Sequence, residues 1–240
     1  MKTKKNGKTL RVAGLLLALV LVTSCFVGGT FAKYVTSDHK VDSARAAKWG
    51  VVVNVEGDSA FAKQYDGDEN AQGNTVIAEA TATYKVMAPG TKKDKVLSST
   101  LRGTPEVKVE VTYDAIVALA NWEDAQQKYY CPLVFTIKHG GTTKTLSGMN
   151  YDSVTDFQAA LEAEIKSVKA TYAPNTDLST ATDHDLSISW EWPFETGTTE
   201  NEKAANNVKD TYLGDQAAVP AGTKVPNIHF GIFTTVTQID

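Results

Sequence analysis

Four histidines, two cysteines and a few acidic clusters are the residues of this 240-residue chain whose types could support chemistry. Zinc hydrolysis needs two or three histidines converging with a carboxylate, most simply His-Glu-x-x-His on one helix. His39, His139, His184 and His229 are scattered, and none has a second histidine within a turn. The tightest grouping, Asp183-His184-Asp185, adjoins a strand and reads as its polar entry rather than as a metal site. Asp66-Gly67-Asp68-Glu69-Asn70 has the composition of a calcium loop, but Ala71 stands where the loop glycine belongs. Ile77 also stands where a bidentate glutamate is needed, so a solvated turn is the better reading. These two acidic loops are where a calcium ion would sit if the chain bound one. No Gly-x-Ser-x-Gly and no phosphate-binding glycine loop occurs, and Cys131 has no assigned histidine partner. The chain therefore reads as non-enzymatic, with no metal and no cofactor.

Cys131 lies beside Tyr129, Tyr130 and Pro132 at the entry to an apolar strand, the setting of a buried small hydrophobe rather than a reactive thiol. The other cysteine, Cys25, belongs to a different kind of segment. Lys2, Lys4, Lys5, Lys8 and Arg11 precede an uncharged run from Val12 to Ala32. A basic start, an apolar middle and a small-x-small exit (Thr30, Phe31, Ala32) are the three parts of a secretory signal peptide, cleaved between Ala32 and Lys33. Two alternatives use the same residues: an uncleaved anchor, since the run is long enough to span a bilayer, or a lipidated Cys25 after Val22-Thr23-Ser24. Cleavage after Ala32 leaves Cys131 as the one cysteine, so no internal disulfide can form and stability must come from packing. Loss of the five leading basic residues takes the formal net charge from −4 to −9. An acidic surface argues against nucleic acid or anionic lipid as partner.

The elements that position the remainder follow from periodicity. Alternation predicts strands through Ala47–Val55, Ala78–Val86, Val107–Tyr113, Leu133–Ile137, Leu186–Trp192 and Ile228–Val236. Val107–Tyr113 is the cleanest half-buried one. Trp190 and Trp192 on one face mark Leu186–Trp192 as a central core strand. His139-Gly140-Gly141 closes a hairpin. One main helix is expected over Ser153–Thr171, capped by Ser153 with Asp156 in its first turn, its apolar stripe formed by Phe157, Leu161, Ile165 and Val168. A short helix is expected at Asn121–Gln127, with Trp122 on its inner face. Gly57–Asn74, Lys92–Lys95 and Glu195–Asn207 read as polar loops. With no βαβ rhythm, the fold class is mainly β: an antiparallel, jelly-roll-like β-sandwich with one main helix inserted, preceded by an N-terminal signal helix. The domains are then 1–32 signal peptide, 33–46 mature N-terminal segment and 47–240 sandwich.

Four stretches resemble TasA/camelysin-like secreted proteins. They are the exit Val27-Gly28-Gly29-Thr30-Phe31-Ala32-Lys33-Tyr34, which is similar to sites handled by SipW-type signal peptidases; Asp42 to Gly50; Ser189-Trp190-Glu191-Trp192-Pro193-Phe194-Glu195; and Asp210-Thr211-Tyr212-Leu213-Gly214. The last is similar to an Asp-Thr-x-Leu-Gly motif near the end of such domains, carried here by Asp210, Thr211, Leu213 and Gly214. The resemblance covers both ends of the chain and leaves roughly 57–185 matched in type alone. It implies a secreted jelly-roll protein of the extracellular matrix that assembles into biofilm-type fibres, with itself or with a sister protein. The mature N-terminus would act as the donor strand: Lys33, Tyr34, Val35, Thr36 and Ser37, extending to Lys40. Membrane contact would be through the uncleaved leader alone. The rival class is a cell-surface adhesin or glycan-binding jelly roll, for which Trp49, Trp122, Tyr129 and Tyr212 are the aromatics able to stack on sugars. A metal-dependent peptidase is a third.

Overall fold

The computed structural model of the chain describes residues 45–56, 60–66, 76–80, 85–218 and 224–240. The leader and the segment 33–44 lie outside these residues, as do the signal cleavage site, the donor segment and His39. Arg45 apart, the described residues belong to a unit spanning Ala46–Asp240. Its elements are β1 (Val52–Glu56), β2 (Gln64–Asp66), β3 (Val76–Glu79), β4 (Lys92–Arg102), β5 (Val109–Ala120), β6 (Val134–His139), β7 (Thr142–Ser147), α1 (Val154–Lys166), β8 (Lys169–Tyr172), β9 (Leu186–Glu191), α2 (Glu200–Ala218) and β10 (Asn227–Gln238). A single 3₁₀ turn, Gly148–Asn150, joins β7 to the segment before α1. The protein is mainly β, and its sheets are antiparallel. One sheet runs β1-β4-β9-β6-β7, a second runs β10-β5-β8, and β2 pairs with β3 alone.

The two larger sheets share one core in a sandwich-like arrangement. In β5 the odd residues Val109 to Leu119 all point inward and are buried, a strict period of two over the whole strand. Facing them from the five-stranded sheet are Leu97, Leu101, Phe135, Ile137, Leu186, Ile188 and Trp190. β9 lies between β4 and β6, the central position that its tryptophans predict. β10 runs obliquely over this sheet. Its Phe230 stacks on Phe135 of β6 at 5.4 Å, while four residues on the Thr234 hydroxyl bonds Ser99 of β4 at 2.8 Å. β6 and β7 form the expected hairpin, with Gly140 and Gly141 both at positive φ (47° and 79°), the conformation a two-residue primed turn requires.

Several expectations need correction. β1 begins at Val52 rather than Ala47; before it Lys48 donates its N–H to Glu106 Oε2 and accepts from the Glu106 N–H, and Gly50 turns the chain at φ 56°. Lys92–Lys95 is no solvated loop: it opens the eleven-residue β4. Lys95 sits at φ 49°, and the register against β9 slips between Lys93 and Leu97, so a bulge erases the alternation that would have marked the strand. Asn121–Gln127 is not helical. Asp124 Oδ1 accepts from the backbone N–H groups of Gln126 and Lys128, closing a turn, although Trp122 is fully buried as expected. The main helix keeps its Ser153 cap and its buried Phe157, Leu161 and Ile165, but ends at Lys166. Val168 is buried beyond it, and Lys169–Tyr172 becomes β8, where Ala170 and Tyr172 pair with Val111 and Val109. Pairing with the long β5 decides this, since four residues of β-competent sequence gain more from a ladder than from one more helical turn.

The largest correction is a second helix. Residues 195–207 read as a loop, yet α2 starts at Glu200. Thr199 and Glu202 form a reciprocal capping box: Glu202 N–H donates to Thr199 Oγ1 at 3.2 Å, and Thr199 N–H donates to Glu202 Oε2 at 2.9 Å.

Two glycines separate packing from propensity. A Cβ at Gly148 would lie 2.5 Å from the Cys131 carbonyl oxygen and 2.9 Å from its Sγ, both in the core, whereas at the helical Gly214 it meets nothing. Gly148→Ala is therefore expected to cost about 1–3 kcal/mol in urea denaturation. Gly214→Ala is expected to gain about 0.5–1 kcal/mol in the same measurement.

Candidate functional site

The residues with catalytic potential are kept apart by the fold. His139 ends β6, His229 is exposed on β10, and His184 is buried in the loop before β9. Among the described residues no three His, Cys, Asp or Glu side chains gather as metal donors. Cys131 is buried, and burial pushes its thiol up to about 12, far from the range in which a thiolate could act.

His184 is instead part of a polar chain through the core. The Thr234 hydroxyl donates to Ser99 Oγ, the Ser99 hydroxyl lies against the Tyr113 hydroxyl, and Tyr113 donates to the His184 carbonyl. Tyr172 closes the other side, its hydroxyl 2.8 Å from His184 Nδ1. The chain ties β10, β4, β5 and β8 together, which accounts for polar side chains inside a sandwich. Desolvation holds the His184 pKa below its ordinary value, against a smaller opposing pull from Asp185 and Asp183.

The motif Asp210-Thr211-Tyr212-Leu213-Gly214 lies on α2. Asp210 and Leu213 face the core, and Thr211 donates to the carbonyl of Asn207 on the exposed side. Asp210 Oδ1 accepts from the Tyr130 hydroxyl at 2.9 Å, and burial raises the pKa of the carboxyl. Tyr130 and Asn206 were not foreseen as partners. Asn206, Asp210 and Leu213 stand at i, i+4 and i+7, a helical signal that polarity hid in a stretch read as loop.

No family model matches the chain, and no curated protein matches it.

What remains as a site is the set of sheet edges. β5 pairs with β8 only at Val109–Thr112, so its later residues face α1. There Glu162 Oε1 accepts from Val117 N–H and Gln158 Nε2 donates to Val117 C=O, both at 2.9 Å, while Asp114 accepts from Ala115 N–H. Side chains thus occupy the ladder positions an incoming strand would need. β7 presents Lys144 and β8 presents Lys169, in an ion pair with Glu110. β1 differs. Val53 and Val55 pair with the buried Leu101 and Ser99, so they lie on the core face, yet they remain 38 % and 42 % exposed. Val52 and Asn54 are exposed on the other face, and the strand carries no lysine, proline or bulge. Of the aromatics considered for sugar stacking, Trp49 is exposed, Trp122 is buried, Tyr129 is half-buried with its hydroxyl donating to Gly148 C=O, and Tyr212 is half-buried.

The buried histidine sets a pH dependence. Its folded pKa is depressed, so below the ordinary value of 6.5 the unfolded chain binds a proton that the folded chain refuses. This contribution is present above 6.5 and is lost as pH falls through the folded value. The melting temperature should decline from pH 7 to pH 5, and His184→Gln should flatten that decline relative to the parent.

Proposed function

We propose that the protein is an exported structural subunit that builds extracellular, biofilm-type fibres by adding the freed segment 33–40 of one copy to an open sheet edge of the next. The observation that supports this reading is the bare flank at β1. Three strands and their helix cover most of the five-stranded sheet, but Val53 and Val55, on its core face, remain 38 % and 42 % exposed. Edge backbone with no strand beside it among the described residues, next to such valines, is what an extended segment from another chain can satisfy, through ladder hydrogen bonds and burial together. Lys33-Tyr34-Val35-Thr36-Ser37 has the β-favouring residues for it in Tyr34, Val35 and Thr36. Repeated head to tail, such a contact does not close on itself and yields a filament.

Export through the leader, release by a SipW-type peptidase and the TasA/camelysin-like resemblance belong to the same reading. So does the alternative of a sister matrix protein as the receiving subunit. The acidic mature surface is consistent with a protein that engages neither nucleic acid nor anionic lipid. The glycan-binding reading is weaker, because only Trp49 of its four aromatics stands clear of the fold.

A protein beginning at Lys33 should form filaments visible by electron microscopy as its concentration is raised. One beginning at Val41 should stay monomeric at the same concentrations, and Val53→Lys with Val55→Lys should abolish growth while leaving the melting temperature nearly unchanged. Filaments from the shortened protein would overturn the reading, and retention on a glycan column by both forms would favour the rival class.

A further inference from the structure

Three buried side-chain atoms have no hydrogen-bond partner among the described residues: Trp192 Nε1, Thr196 Oγ1 and Asp210 Oδ2. They belong to one locus under α2. The Tyr130 hydroxyl donates to Asp210 Oδ1 at 2.9 Å with the Thr196 hydroxyl beside it, and the Trp192 indole lies against the Asp210 carboxyl without completing a bond. Buried polar groups are nearly always satisfied, so a cluster of exceptions marks a place held at a cost.

Little else holds the helix. Of its 19 residues only Asn206, Asp210 and Leu213 are buried, and Val208 is 70 % exposed. Asn206 Nδ2 donates to Thr196 C=O at 2.9 Å, and Lys209 lies 5.0 Å from the Tyr130 ring centroid and 3.7 Å from Asp124. Beneath the C-terminal half of α2 is an apolar cavity of about 540 Å³ whose lining includes Trp122, Trp192, Met87, Leu213 and Ile228.

We propose that α2 is a proton-operated latch, seated while the Asp210 carboxyl is protonated and released when it ionises, baring the Trp122–Trp192 floor. A neutral carboxyl can offer Oδ2 as a donor and costs little to bury. Its carboxylate needs donors on both oxygens, and here the Tyr130 bond to Oδ1 and the incomplete approach of the Trp192 N–H do not offset the burial. The groups that act on it are the Tyr130 hydroxyl and the Trp192 indole, and the neighbouring Lys209 is paired with Asp124 across the interface. Burial raises the Asp210 pKa above its ordinary 3.8. The seating it supports is therefore complete below 3.8 and is lost as pH rises through the seated value.

Hydrogen exchange on the full chain, followed by mass spectrometry over peptides from 200–218 and corrected for intrinsic rates, reads the latch directly. Opening should be faster at pH 8 than at pH 4, because ionising the buried carboxyl removes the seating that its neutral form supports. Peptides from β5 should show no such change. Asp210→Asn should hold α2 equally closed at both pH values. Tyr130→Phe, which removes the one bond to the carboxylate, should move the transition to higher pH and serves if the asparagine variant does not fold. Equal opening at pH 4 and pH 8 in the parent, an unchanged pH dependence in Asp210→Asn, or an unmoved transition in Tyr130→Phe would each overturn the proposal.

Discussion

A five-stranded sheet with an apolar inner face has to be covered, and three strands are too few to do it. That mismatch organises the molecule. β10, β5 and β8 cover the middle. α1 covers the side of β6, where Phe157 packs 6.1 Å from Phe135. The segment leading into the β2–β3 pair covers the end of β9, where Phe61 and Tyr65 meet the Trp190 ring and the Trp190 indole donates to Ala60 C=O at 2.7 Å. At the two edges the cover thins: Val53 and Val55 of β1 and Lys144 of β7 lie on the core face yet are exposed.

Edges and polar groups are handled in two different ways. Where β5 outruns β8, two side chains from α1 bond both backbone groups of Val117, so a helix does the work of a missing strand. Where hydroxyls are buried between the sheets, they are ordered so that Thr234, Ser99, Tyr113, His184 and Tyr172 satisfy one another. The Asp210 locus follows neither pattern. Its neighbours are polar and close, yet three atoms go unbonded. The core thus satisfies its polar groups at one end and leaves these three buried atoms unbonded at the other.

Among the described residues, the groups that could support catalysis are each committed elsewhere. The histidine best sheltered from water is committed to tyrosines, the cysteine is walled in by the Gly148 backbone, and the acidic loop 183–185 serves as the entry to β9.

Periodicity alone was enough for the mainly β class, for β5, β6 and β9 as inward-facing strands, for the Gly140-Gly141 hairpin and for the Ser153 cap. Each of these depends on residues close in sequence. It was not enough for β4, whose bulge at Lys95 breaks the alternation, or for β8, which exists because β5 is there to pair with it. Nor did it reveal α2, whose capping box at Thr199 and Glu202 is local but whose only inward residues are the polar Asn206 and Asp210 and a single leucine. Alternation marked Ala47, Trp49, Val51, Val53 and Val55 as one row of a strand. Only the tertiary structure could decide that Val53 and Val55 would stay 38 % and 42 % exposed, because burial depends on what lies across the core and not on the strand itself.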